Sequence, residues 1–343
     1  MQPPPEAPLP WLYAPQKLPD SGPHAETVSI IMRTKDRALL LPRALQSVLA
    51  QTFTDWRLYL VNDGGDVATL EKGLASFRDA FTNRLSLIHH AASLGMEAAS
   101  NAGLSAASGR FFAIHDDDDR WDATFLSRTV AFLDAPENAS YIGVATGCDV
   151  VQERIEDGRI KTVAQFPWVY FRPPITYGAM LERNQMPPIT LLLRHALLAR
   201  IGGYNEALPV LGDWEFILRA LTIGDIGALE ERLAFYHHRL TADAPIYANS
   251  VTGGLNIHGE MRARLGNHII RSALQQQPAL LGVLWPVLQA LETQGGGSHT
   301  LLQRLDAIEA DVHAIREATE PQRRIFNFLR RLLRHRPHSA RRQ

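Results

Sequence analysis

Four consecutive carboxylates, Asp116, Asp117, Asp118 and Asp119, are the residues of this chain best suited to chemistry. Adjacent negative charges repel, so such a run favours dispersal unless a cation sits among it. A divalent cation bound through hard oxygen ligands meets that need. In phosphate sites Mg²⁺ or Mn²⁺ takes one or two protein carboxylates and completes its shell with phosphate and water. Held so, it offsets the charge that develops on a leaving diphosphate. The bland alternative is a solvated acidic turn, or the N-terminal cap of a helix beginning near Asp122. The run follows the apolar segment 111–114 and precedes Arg120 and Trp121, a setting that favours the metal-binding reading.

Other residue types invite the same weighing. His237 and His238 follow the apolar stretch 233–236. Side chains alternate along a strand, so the two point to opposite faces and at most one reaches a site. His89, His90 and His115 lack a partner at metal-ligand spacing and read as structural. The segment 166–188 is rich in proline and aromatics and reads as a long functional loop, with Tyr177 and Asn184 as candidate site residues. Trp168 and Tyr170 either stack on a sugar ring or pack the loop, and both readings stand at this point.

The elements that must position these residues alternate. Apolar runs at 28–32, 56–61, 85–89 and 110–114 read as buried strands. Between and after them, helical spacing appears at 37–51, 69–77, 96–107 and 122–133. That alternation predicts an α/β fold of right-handed βαβ units with a mostly parallel sheet. Open sheets of this kind bind ligands at the carboxyl ends of their strands. Polar residues gather there: Thr34 and Asp36 after the first strand, Asp63 after the second, the aspartates after the fourth. Beyond Ala135 the rhythm changes. Strands at 141–151 and 159–163 flank Asp157-Gly158, a hairpin signal. A helix is expected over 213–221 and a strand over 233–238.

Composition bounds the rest. The chain has 343 residues, 45% of them hydrophobic, so a sizeable core can form. Formal net charge is −1, which excludes a general polyanion binder and argues against a nucleic-acid partner. The single cysteine, Cys148, excludes an intrachain disulfide and suits a reducing compartment. Residues 1–26 form a proline-rich arm without the pattern of a secretory signal. No stretch approaches the ~18 apolar residues that span a bilayer. A cytoplasmic protein, free or at the inner face of a membrane, is the expectation. The domain plan is a main domain at 27–240, divided near 135, a helical extension at 241–294, and a basic helical tail at 298–343. In that tail, Ile325, Phe328, Leu329, Leu332 and Leu333 share a face with arginines nearby. Peripheral membrane contact and self-association are both open for it.

The segment Gly109-Arg-Phe-Phe-Ala-Ile-His-Asp-Asp-Asp-Asp-Arg-Trp-Asp122 resembles the strand and DxD signature of glycosyltransferase family 2, inverting enzymes of GT-A fold. Further segments resemble that family in the expected order: Val28 to Arg37, Leu45 to Phe53, Val61 to Gly65, Asn101 to Leu104, Gly202 to Glu206, and Gly212-Asp-Trp-Glu215. The resemblance covers residues 27–239. One DxD is a weak motif, whereas six matches in order are strong.

The resemblance implies a nucleoside-diphosphate sugar as donor, a glycan or lipid-linked acceptor, and a divalent cation, Mn²⁺ or Mg²⁺. It implies that Thr34, Asp36 and Asp63 line the nucleobase and ribose pocket. It sets Asp116 toward the ribose or sugar and Asp118 on the metal. A one-residue slip keeps Asp117 and Asp119 as candidates. It makes Asp213 the general base, for which N-capping is the plain alternative. It implies a late histidine at the metal or diphosphate, with His238 favoured over His237. Two departures stand out: Gly212 and Asn62 occupy places where the family commonly has an acidic residue. A non-catalytic sugar- or nucleotide-binding scaffold is the competing reading. A sugar nucleotidyltransferase fits less well, because 33–37 lacks the glycines of a pyrophosphate loop.

Overall fold

The computed structural model describes Leu18, residues 24–241, Tyr247 and residues 255–281. The chain divides into two compact units, Met1–Leu265 and Gly266–Gln343. The first unit carries the sheet and everything that follows. Of the second, the described residues are the end of a helix and a 3-10 turn at Pro278–Leu280. Most of the proline-rich arm, much of the 241–294 extension and the whole 298–343 tail lie outside the described residues.

The first half is built from β1 (Val28–Thr34), α1 (Leu41–Leu49), β2 (Trp56–Asp63), α2 (Val67–Leu74), β3 (Leu85–His90), α3 (Met96–Ala106), β4 (Phe111–Ile114), β5 (Arg120–Trp121) and α4 (Phe125–Asp134). The second half adds β6 (Gly143–Glu156), β7 (Arg159–Pro167), α5 (Tyr177–Glu182), β8 (Leu191–Arg194), α6 (Leu198–Ile201), α7 (Gly212–Ala220), β9 (Ile226–Thr241) and α8 (Leu255–Gln276). The sheet runs β3-β2-β1-β4-β8-β6-β9-β5, with β7 paired to β6. Its first four strands are parallel. Strand β8 then joins β4 and β6 antiparallel, while β9 lies parallel to β6. The α/β class expected from the sequence is the one observed.

Sequence pattern explains this packing. In β1, Ile30 and Met32 belong to the core on one face of the sheet and Ile31 to the core on the other. A strand buried on both faces needs such an unbroken apolar run. Helix α3 lies close on β1 because of its small residues. A Cβ at Gly103 would stand 2.5 Å from Ile31 Cγ2 and 3.3 Å from Val61 Cγ2. In the hairpin of β6 and β7, Asp157 and Gly158 take φ of 52° and 66°. Both residues at positive φ is the pattern of a type I′ turn, which Asp-Gly suits.

Local chemistry shifts several element ends. The expected helix at 37–51 begins only at Leu41, with Pro42 in its first turn, where a missing N–H costs nothing. The expected helix at 122–133 begins at Phe125, because the Asp122 carboxylate accepts from Thr124 N and Oγ1 and holds a turn. The segment 166–188 contains helix α5, capped by the Thr176 hydroxyl on Ala179 N. The strand at 233–238 is the end of the longer β9, and β5 pairs with it at Phe235 and Ala234.

Register brings the site together. Thr34 pairs with Asn62, Asp63 with His90, and Ile31 with Ile114. The carboxyl ends of β1, β2 and β4 therefore lie along one edge, as the sequence requires.

Candidate active site

A cavity of about 270 Å³ opens at that edge. Strand β1 lends it Arg33, the end of β4 lends Asp116 and Asp118, and α3 lends Glu97. From the second half come Trp168, Asn184, Asp213 on α7, and Tyr236 and His238 on β9.

The four aspartates divide by position. Asp119 N–H donates to the Asp116 carbonyl at 3.3 Å and closes a turn. Asp116 and Asp118 line the cavity, while Asp117 and Asp119 are buried behind it. The Asp116 carboxylate accepts from Arg33. Asp118 accepts from Arg37 Nη1 at 2.9 Å and from Arg239. Burial opposes the Asp118 charge, but Arg239, Arg37 and Arg43 outweigh it and hold the carboxyl below its ordinary value. Asp117 accepts from Arg37 Nη1 at 3.0 Å. Burial pushes Asp117 up to about 6, against the pull of Arg37 and the Thr34 hydroxyl. Asp119 is pushed well above the carboxylate range by burial and by Asp118, and its Oδ1 accepts from His237 N–H at 2.7 Å.

The residues expected around the donor thus separate. Thr34 and Asp36 line a small adjoining recess, with Arg37 and Asn62. Asp36 sits at φ 53° and its Oδ1 accepts from Asp66 N–H at 2.6 Å. Asp117 is not on the cavity wall. Its carboxylate turns away toward Arg37 and Thr34. Asp63 is not there either. Its oxygens accept from His90 Nδ1 at 2.8 Å, Ser93 Oγ at 2.6 Å, Leu94 N at 2.8 Å and Gly95 N at 3.1 Å. A carboxylate offers about four lone-pair sites, and these bonds use them, which leaves no acceptor for a base N–H. Burial opposes the Asp63 charge, yet these donors hold its carboxyl below the ordinary value. Its work in the fold is to fix the turn that leads into α3.

The histidine pair divides as strand alternation requires. His237 turns to the far face, where its Nδ1 meets Glu153 Oε1 at 2.9 Å. His238 lines the cavity, stacked edge-on to Tyr236 with centroids 4.3 Å apart. Burial, then Arg239, lowers the His238 pKa, so its ring stays neutral. Its Nε2 is buried without a hydrogen-bond partner. A buried nitrogen left bare beside Asp118 costs free energy that a ligand would recover. Asp116, Asp118 and His238 share the cavity lining, with the two carboxylates engaged by Arg33, Arg37 and Arg239. Among the described residues, no three His, Cys, Asp or Glu side chains form a group that could hold a metal ion.

Asp213 lies in the first turn of α7, one residue beyond Gly212, and does not cap the helix. The N-cap is Leu211, held at φ 67° with no side-chain cap bond. The Asp213 carboxylate faces the cavity and accepts from Asn184 Nδ2 at 2.8 Å. Burial raises its pKa, with Asp116 adding to the effect and Trp214 N–H, Arg33 and Asn184 opposing it. Sequence reasoning passed over Glu97, Arg33, Arg37 and Arg239 as site residues. The signal for Glu97 was a lone acid in a helix of small residues. For Arg239 it was its place directly after the two histidines.

The profile described as Glycosyl transferase family 2 matches residues 29–197. A "PGL/p-HBAD biosynthesis glycosyltransferase" of Mycobacterium bovis is 28% identical over 200 residues, which are 58% of this chain and 71% of the relative. The "Uncharacterized glycosyltransferase alr2836" of Nostoc sp. is 30% identical over 223 residues, 61% of this chain and 64% of the relative. Among solved structures, S. aureus TarS 1-349 in complex with UDP-GlcNAc is similar at a TM-score of 0.47 and 20% identity, over 62% of this chain and 59% of that one. The mannosyltransferase PcManGT from Pyrobaculum calidifontis, in complex with GDP-Man and Mn²⁺, is similar at 0.43 and 17%, over 66% and 60%. The profile match takes in β1 to β8, and with them the aspartate turn at the carboxyl edge. Residues 29–197 of this chain thus match glycosyl transferase family 2, and the named relatives that it resembles are glycosyltransferases.

Proposed function

We propose that this chain is an inverting, metal-assisted glycosyltransferase. It moves a sugar from a nucleoside-diphosphate sugar to a hydroxyl of a glycan or lipid-linked acceptor, with Asp213 as general base. The observation that supports this reading most is convergence: Asp116, Asp118 and Asp213, far apart in sequence, open into one cavity. A pocket with convergent polar groups and a perturbed carboxyl is where reaction chemistry is expected.

The reaction asks three things of the chain. The attacking hydroxyl must lose its proton as its oxygen bonds to the anomeric carbon. Asp213 would take that proton, and burial, which raises its pKa, supports it as a better base than an ordinary carboxylate. The bond from the anomeric carbon to the diphosphate breaks with its electron pair on the diphosphate oxygen. Arg33 and Arg37 on the cavity wall bring fixed positive charge toward that oxygen. Asp118 and His238 would hold the divalent cation, which supplies further charge to offset the leaving diphosphate. Thr34 and Asp36 would line the recess for the nucleoside, and Asp116 would face ribose or sugar. Asp63 would act at one remove, by holding the turn before α3.

The cytoplasmic location and the membrane or self-associating role of the tail remain part of this proposal. Among the described residues no helix is long and apolar enough to cross a membrane.

Replacement Asp213→Asn tests the base. Transfer is expected to fall by about 10²–10⁴-fold, while nucleotide binding is kept. Transfer that survives the replacement would remove Asp213 from this role.

A further inference from the structure

Glu97 is a carboxylate on the cavity wall to which neither the donor reading nor the proton transfer gives a part. It lies in the first turn of α3 and is only 5% exposed. Acids buried to that degree are rare without partners. Its carboxylate rests directly on Gly212, the residue before Asp213. A Cβ at Gly212 would stand 2.2 Å from Glu97 Oε1 and 2.5 Å from Glu97 Cγ. Gly212 begins α7 with a helical backbone that any residue adopts, so its lack of a side chain answers to space and not to φ. The glycine makes room for Glu97, and the room places a second carboxylate beside Asp213. Burial raises the Glu97 pKa, Arg33 opposes it, and Asp213 and Asp116 add to it. Arg33, which pairs with Asp116, favours the charged form of both carboxylates.

The cavity has aromatic residues as well. Trp168, Tyr236 and Pro188 line it. The Trp168 indole is pinned by its Nε1–H on Gln185 O at 3.0 Å and meets Tyr236 edge-on, with centroids 5.9 Å apart. Aromatic side chains and carboxylates in one cavity suit a ring with apolar faces and hydroxyl edges, which is a sugar. Ionised carboxylates only accept, so each of the two takes one O–H.

We propose that Glu97 is a positioning residue for the acceptor, accepting a hydrogen bond from the hydroxyl next to the one Asp213 deprotonates. The acceptor is then a sugar with neighbouring hydroxyls and not an isolated alcohol. This inference rests on Asp213 as general base.

The test uses the full chain with Mn²⁺ and the sugar donor that turns over among UDP-glucose, UDP-GlcNAc and GDP-mannose. Acceptors are octyl glycosides with adjacent free hydroxyls, their deoxy counterparts, and octanol. Wild type is expected to prefer the glycosides. Glu97→Gln should lower kcat/KM on them by about tenfold or more, the scale of one charged hydrogen bond, mainly through acceptor KM. Donor hydrolysis by water should stay within about twofold, and deoxy acceptors should lose the sensitivity to the replacement. Gly212→Ala should reproduce the defect by displacing Glu97. An equal fall in donor hydrolysis and glycoside transfer would overturn the proposal in favour of a structural role. Unchanged transfer in Glu97→Gln, or preference for octanol by wild type, would also overturn it. Asp213→Asn read on the same panel separates the two claims. If that variant still transfers while Glu97→Gln shows the acceptor defect, the base assignment fails and the acceptor contact stands.

Discussion

At the scale of single residues, the account depends on what each carboxylate touches. Four aspartates in a row look alike in sequence. The turn closed by Asp119 N–H on Asp116 O sorts them into a cavity pair and a buried pair. That sorting needs backbone geometry, so the sequence left the register open. The division of His237 from His238 was legible, because it follows from strand alternation alone. Asp63 was not, since its four donors come from His90, Ser93, Leu94 and Gly95, contacts that no spacing rule reveals. Glu97 was overlooked because its place depends on a glycine 115 positions away (212 − 97). The Asp213 environment gives a pH prediction. A base works ionised, and burial favours the protonated form. Activity should therefore fall as pH drops through a value above the ordinary carboxylate range near ~4. The acid limb of kcat/KM against pH measures this, and a limb at or below that range would contradict the assignment.

At the scale of elements, the parallel half of the sheet was legible because doubly buried strands must be apolar throughout. The short strands were not. β5 has two residues and β8 has four, too few to carry a period. They exist because β9 and β4 offer them partners. The placing of α3 on β1 matters most for function, since α3 carries Glu97 and follows the turn that Asp63 fixes. Its contact at Gly103 is tight enough to test. Gly103→Val would press on Ile31 and Val61 and should destabilise the fold by about 1–3 kcal/mol. Thermal unfolding monitored by circular dichroism would check it. An unchanged midpoint would mean that α3 is not seated as described.

At the scale of the whole molecule, a net charge of −1 conceals strong local order. Arg33, Arg37 and Arg239 converge from opposite ends of the main unit on Asp116, Asp117 and Asp118. Behind them Arg43 pairs with Glu153, which also takes His237. Total charge carries none of this local order, while the strand ends show where opposite charges meet. On the proposed function, an anionic ligand and its cation enter together at this site. The measurement that tests this most directly is isothermal titration with UDP, GDP and dTDP, each with and without Mn²⁺, on wild type and Asp118→Ala. The account predicts that one nucleotide binds tightly, that binding needs Mn²⁺, and that the metal requirement and most of the affinity disappear together in the variant. Binding of none of the three, or binding equally strong without metal and in Asp118→Ala, would contradict it.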